Sequence, residues 1–303
     1  MKNYGRSAFP SRVRGVTLIE LMISLVIGIV VIGAVLISYI GSGQTNKRQA
    51  AYAEMNENAQ IALSILRSDL LLAGYARATG VLNTGGVKTL SRTFSGQPIL
   101  GCGLGFVSEN TTGVAICNAA GTGTPAIQVS YEADVTNTTP TADPIPLPTD
   151  CVGRSLGEVP LVAGATTYYV THNRYYLATG NSGRSELFCA SAAMDAGVAI
   201  PGQALVDNVE AMQIWYGEAG AAGSRQIVRY VAAGPAVVID WQNIISVRVC
   251  LLMRSSEVVL SGEDTALGLD KYLDCNSTEQ TSADRSVRRA YFLTTTLRNK
   301  MAF

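Results

Sequence analysis

The sequence predicts an α+β fold, with one long N-terminal α-helix followed by a mostly antiparallel β-sheet head. Three observations predict it. Val16–Ile40 is an apolar run of 25 residues with a single charge, Glu20. From Gln44 to about Ala78 the apolar residues recur at spacings of three and four, the period of a helix with one buried stripe. Beyond residue 80 the composition turns to Gly, Thr, Ser, Val and Tyr, broken by frequent turn residues.

As a helix, the apolar run spans roughly 37 Å at about 1.5 Å per residue, enough to cross a bilayer core. The preceding segment carries Lys2, Arg6, Arg12 and Arg14 and no acid. Under the positive-inside rule it stays cytoplasmic, and the C-terminal bulk faces the other side of the membrane. A cleaved secretory signal would have an apolar region of about 7 to 15 residues followed by a small-residue cut site, so this run is too long. A plain anchor leaves Glu20 unexplained, because a carboxylate five residues into the span costs several kcal/mol (about 2.5 or more) unless it meets a partner or reaches the interface.

Above the membrane segment the predicted stripe is Tyr52, Met55, Ala59, Ala62, Leu66 and Leu70, with Lys47, Arg48, Glu54, Glu57, Arg67 and Asp69 largely off it. Gly80 and Asn83-Thr84-Gly85-Gly86 end the helix, and Gly41 and Gly43 are its flexible points. The chain therefore divides into a basic N-terminal segment at 1–15, an apolar helix at 16–40, an amphipathic continuation at 41–79 and a β-rich head at 80–303. In the head, strands are expected at 126–132, 167–171, 174–178, 185–190, 212–217, 227–231 and 244–253. A hairpin turn is expected at His172-Asn173, and Pro140, Pro144, Pro146 and Pro148 mark an extended loop.

The formal net charge is zero, which gives no whole-chain footprint for nucleic acid. Cys102, Cys117, Cys151, Cys189, Cys250 and Cys275 all follow the apolar run, and none forms a CxxC pair. With one histidine in the chain, His172, they read as disulfides in an oxidising compartment and not as a zinc site. Fifteen pairings are possible. The short loops favour Cys102–Cys117 and Cys250–Cys275, which leaves Cys151–Cys189.

No catalytic constellation emerges, so the chain is not expected to be an enzyme, and no metal or cofactor is expected. Gly101-Cys102-Gly103-Leu104-Gly105 departs from the spacing of a phosphate-binding loop. Glu263, Asp264, Asp270 and Asp274 lack the spacing of a calcium loop.

The string Arg14-Gly15-Val16-Thr17-Leu18-Ile19-Glu20 resembles the class III prepilins. That resemblance implies cleavage by a prepilin peptidase between Gly15 and Val16, and N-methylation of Val16. It makes Glu20 the fifth mature residue, the acid that sets axial register against a neighbour's freed amine. Val16 departs from the phenylalanine usual there. Asn58–Tyr75, Ala126–Asp134, Leu205–Gly217, Asp240–Ser255 and Arg288–Asn299 are similar to stretches of the PilW family of minor pilins.

The implied fold is the pilin fold, and the implied role is a minor pilin in the tip or priming complex of a type IV pilus. Its partners would be other minor pilins, the major pilin, the prepilin peptidase, the inner-membrane assembly platform and membrane lipid. It would pass from the inner membrane to the pilus and cell surface. Two other readings share the same N-terminus: a pseudopilin of a type II secretion system, and a tip-displayed adhesin or DNA-binding module. Arg285, Arg288 and Arg289 alone are thin support for DNA.

Overall fold

The computed structural model describes residues 15–300 apart from 85–86, 95, 112, 160–166, 192–193, 196–197, 200 and 222. Of the expected leader, only Gly15 falls within the described residues. The chain forms two compact units, one up to Gln49 and one from Ala50 onward, and helix α1 (Leu18–Leu72) contributes to both.

In the first unit α1 carries its apolar side chains outward. Leu18, Ile23, Val30 and Leu36 are all more than half exposed, and no apolar side chain between Leu18 and Tyr39 is buried. In the second unit the same helix presents a narrow seam: Ala51, Met55, Ala59, Ala62, Leu66, Leu70 and Ala73 are all buried. Their spacings of four, four and three keep them on one side of the helix. Tyr52, expected on this stripe, is 39% exposed, and Ala51 takes its place. One residue turns the side chain by about 100°, and only the position of Ala51 continues the repeat downward from Met55.

The helix ends at Leu72, earlier than expected, because the residues after it are held by other groups. Gly74 adopts φ +71, the left-handed conformation that closes helix C-termini, and its N–H donates to Ser130 O at 2.9 Å. Asn299 Nδ2 reaches the terminal carbonyls of Leu71 and Leu72 at 3.1 and 3.3 Å. These carbonyls would otherwise lack donors.

The elements that follow are β1 (Ala78–Thr84), β2 (Val87–Arg92), β3 (Ile99–Cys102), β4 (Ala126–Ala133), β5 (Glu158–Val159), β6 (Tyr168–Thr179), β7 (Ser185–Ala190), β8 (Met194–Asp195), β9 (Val198–Ala199) and β10 (Gln203–Val206). Then come β11 (Val209–Ala219), β12 (Ile227–Ala232), β13 (Ile244–Arg254), α2 (Gly262–Ala266), β14 (Lys271–Leu273), β15 (Glu279–Thr281) and β16 (Arg288–Thr296). One sheet runs in the order β10-β7-β6-β4-β3 with β5 beside β6; a second runs β12-β11-β13-β16. Their pairings are antiparallel. The fold is α+β, as expected.

Both sheets and the α1 seam share one core. Leu66 and Leu70 join Ile127 and Val129 of β4 and Val247, Val249, Leu251 and Met253 of β13 in a single buried cluster. These β13 residues alternate along the strand and share one face, while Cys250 and Leu252 on the other face are buried in a smaller cluster with Cys275. Fully burying such a side chain stabilises the fold by about 1.5–3 kcal/mol.

No hairpin turns at His172-Asn173. Both residues lie inside the unbroken strand β6, paired with Ser130 and Val129 of β4. Partners on β4 and α1 satisfy the polar side chains that suggested a turn. His172 Nδ1 lies 2.7 Å from Ser130 Oγ, and Asn173 Nδ2 donates to Asp69 Oδ2 at 2.6 Å. Burial, then the nearby Arg174 charge, pushes the His172 pKa down to about 4, so the ring is neutral at physiological pH.

Asp69 is the polar pin of the core. It is buried on α1 and accepts from Tyr131 (3.0 Å), Asn173 (2.6 Å) and Tyr175 (2.6 Å). Burial raises its pKa, against the three donors, which lower it. Arg174 is wholly buried as well. It meets Gln128 Oε1 at 2.9 Å and the carbonyls of Glu109, Thr111 and Gly113 at 2.6–2.7 Å, tying the loop after β3 to the sheet.

Three disulfides join Cys102 to Cys117, Cys151 to Cys189 and Cys250 to Cys275, with Cα–Cα separations of 5.2, 6.4 and 5.8 Å. The first ties β3 to the loop before β4. The second ties the loop between β4 and β5 to β7. The third fastens the 261–284 segment onto β13. That segment contains α2 and a β14–β15 hairpin.

Candidate assembly site

The N-terminal segment is built from the start of α1. Gly15 and Val16 precede the helix and are exposed, Val16 by 73%. Thr17 is the helix N-cap. Its carbonyl accepts the first helical bond, from Leu21 N at 3.1 Å.

Glu20 stands three residues on and closes a capping box. Thr17 N and Oγ1 donate to Glu20 Oε2 at 3.0 and 3.1 Å, and Glu20 N donates back to Thr17 Oγ1 at 3.3 Å. The pattern Thr-x-x-Glu before an apolar run is the sequence signature of this device. Two otherwise orphaned amide donors at the helix start are satisfied, and the acid sits at the positive end of the helix dipole. All the bonds drawn by the carboxylate go to one oxygen; among the described residues Oε1 has no partner.

The helix beyond is long and apolar enough to span a bilayer, and none of its most apolar window is buried against the rest of the chain. A contiguous exposed apolar surface of this kind marks a face that meets lipid or another protein.

The other motifs singled out in the sequence serve the fold. Gly101 and Cys102 end β3, and the turn that follows opens no helix. Asp264 caps α2 through Ser261. Asp274 accepts from Asn276 N (2.8 Å) and Thr278 N (2.9 Å) in the turn between β14 and β15. Among the described residues no cluster of three or more His, Cys, Asp or Glu could hold a metal.

Sequence reasoning missed Asp69 as an inward residue. Its charge sets it among the solvent-facing residues, although Ala62, Leu66 and Ala73 at spacings of seven, three and four share its side of the helix. The tyrosines and the asparagine that receive it lie 62 to 106 positions away.

Two family models match the chain. The prokaryotic N-terminal methylation motif matches residues 10–36, which include Gly15, Val16 and Glu20. The PilW model, Type IV Pilus-assembly protein W, matches residues 174–299, from within β6 through β16. It takes in the similar stretches at 205–217, 240–255 and 288–299 and leaves out those at 58–75 and 126–134. A solved type IV-like pilin from Thermus thermophilus is similar over 82% of this chain and 97% of its own, at 15% identity and a TM-score of 0.36. That likeness is too loose to bear on function. No curated protein matches the chain.

A methylation motif leading into an exposed apolar helix, with a segment that matches the PilW model behind it, makes this chain similar to the type IV pilin-like proteins of the PilW family. The family implies contact with other pilins and with their assembly machinery. The motif and the apolar helix fit a membrane-anchored pilin.

Proposed function

We propose that this chain is a minor pilin, a structural subunit in the tip or priming complex of a type IV pilus. It is cut between Gly15 and Val16, methylated on Val16, and assembled with other minor pilins through α1. The head stands in the periplasm before assembly and on the cell surface after it. The observation that carries this reading is the single carboxylate at the start of a helix whose apolar side chains find no cover in the chain itself.

The mechanism follows from that carboxylate. Cleavage would free an α-amine on Val16, with a reference pKa of about 7.7–8.0. In lipid, an ammonium on one subunit and the half-satisfied Glu20 carboxylate on the next each lower the other's burial cost. The capping box keeps Glu20 tolerable in the lone subunit, and Oε1 is the atom left for the neighbour. Such a pair sets the register between helices more than it adds stability.

Mass spectrometry of the protein extracted from membranes tests the cut. A methylated chain starting at Val16 is expected, and a chain that retains residues 1–15 refutes the processing step. Antibody detection in sheared surface filaments tests the pilus assignment. Absence from filaments together with a secretion defect on deletion would assign the chain to a secretion pseudopilin instead.

A further inference from the structure

The second unit carries a cleft of about 250 Å3 lined by Arg184, Ser185, Asn208, Glu210, Arg254 and Arg288. It lies where strands of both sheets start or finish: β7 begins at Ser185, β11 runs through Glu210, β13 ends at Arg254 and β16 begins at Arg288. The assembly reading makes no use of it.

Most of the charge here is already paired. Arg288 donates from Nε to Glu210 Oε2 at 2.8 Å and grips Asp284 with Nη1 and Nη2 at 2.8 and 3.1 Å. Arg254 Nη2 lies 2.7 Å from the same Asp284 carboxylate. Arg288 is nine-tenths buried, so this fork is rigid. The Asp284 carboxyl is held well below the usual range, first by the Arg288 bonds.

Three guanidiniums nevertheless share two carboxylates, and two observations show where the surplus lies. Among the described residues Arg254 Nε has no hydrogen-bond partner, and it is shielded from solvent, so it adds uncompensated positive charge to the cleft wall. Among the described residues the Arg184 guanidinium meets no carboxylate and donates only to the neutral Asn208 Oδ1, at 3.2 Å. Asn208 holds that oxygen in place from a left-handed backbone, φ +60, and its own carbonyl accepts from Arg254 N at 3.0 Å. Planar guanidinium forks with unused donors match the paired oxygens of a carboxylate or phosphate.

We propose that this cleft binds one small oxyanion group, a carboxylate or a phosphate, with the Arg184 guanidinium supplying the free donors, Arg254 adding positive charge beside it and the Arg288–Asp284 pair fixing the floor. The inference is independent of the pilus assignment, because it concerns the head alone.

Isothermal titration of the detergent-solubilised full chain at constant ionic strength tests it, with inorganic phosphate and acetate as probes and chloride as the balancing anion. At least one probe should bind saturably with one site per chain. Binding of acetate points to an acidic side chain or chain end as the natural source, and binding of phosphate alone to a phosphorylated group; either supports the site. Arg184→Gln should weaken binding about tenfold or more, the loss of one charge-assisted contact, with the melting temperature of the unliganded protein unchanged. Arg229→Gln, on β12 and outside the cleft, should leave binding as it was. No saturable binding of either probe, or equal loss in the two variants, would overturn the proposal.

Discussion

Leu36 and Leu66 are the same side chain on the same helix, yet the first is 55% exposed and the second is completely buried. Around Leu66 the chain closes its own core, with two sheets, a helix seam and three disulfides. Around Leu36 it covers nothing. The difference shows which part of the molecule is complete alone and which part is made to be completed by lipid or by other helices. In the second unit a polar group inside the core is satisfied by groups of the same chain, as Asp69 is by Tyr131, Asn173 and Tyr175. In the first, Glu20 is only half satisfied.

The largest expected effect separates the two units outright. Gly15→Glu should leave the precursor uncut, visible as a heavier band in immunoblots and as retained residues in the mass spectrum, while the head keeps its disulfides. Loss of head folding in this variant would break the separation.

Leu66→Ala should act on the other side. Removing a fully buried leucine costs about 2–5 kcal/mol through lost burial and the cavity left behind, read as a lower urea midpoint. Leu36→Ala should cost the head nothing measurable in the same assay.

Removing the shortest disulfide loop sharpens the comparison further. The double substitution Cys102→Ser with Cys117→Ser should cost about 3 kcal/mol, in line with a 15-residue closed loop. The effect should be confined to head stability, with processing at Gly15 unchanged.

The smallest effect is a pH dependence. Burial raises the Asp69 pKa in the folded state above its unfolded value. The stability linked to this proton is fully present below the unfolded pKa, near 3.9, and is lost as pH rises through the raised folded value. Several other carboxylates act in the opposite sense, Glu132 and Asp284 among them, because their pKa values are lowered. The measurement is therefore a difference: urea midpoints of the wild type and of Asp69→Asn across pH 4 to 8. The wild type should lose stability relative to Asp69→Asn as pH rises, and parallel curves would remove Asp69 as the titrating pin.

What could be read from the sequence was what repeats or what has a fixed spacing. The helix announced itself by 25 apolar residues and a seam at threes and fours, and the capping string by Thr17 and Glu20 at the required separation. Strands β4, β7, β12 and β13 followed from β-branched and aromatic runs close to their observed bounds. The failures came where distant groups decide. His172 and Asn173 look like turn residues until β4 and α1 supply their partners. Asp69 looks like a surface charge until two tyrosines close over it. β3 is a short run defined by its pairing with β4, and β16 is absent from the expected strands although Tyr291, Phe292 and Thr294 to Thr296 are strand-forming residues that pair with β13. The arginine cleft is likewise assembled from four separate strands.

Glu20→Ala offers the most direct test of how the uncovered half of α1 is completed. The variant should be cut at Gly15 and fold its head normally, and antibody should find it in membranes but not in sheared filaments. Incorporation into filaments at the wild-type level would contradict assembly through Glu20.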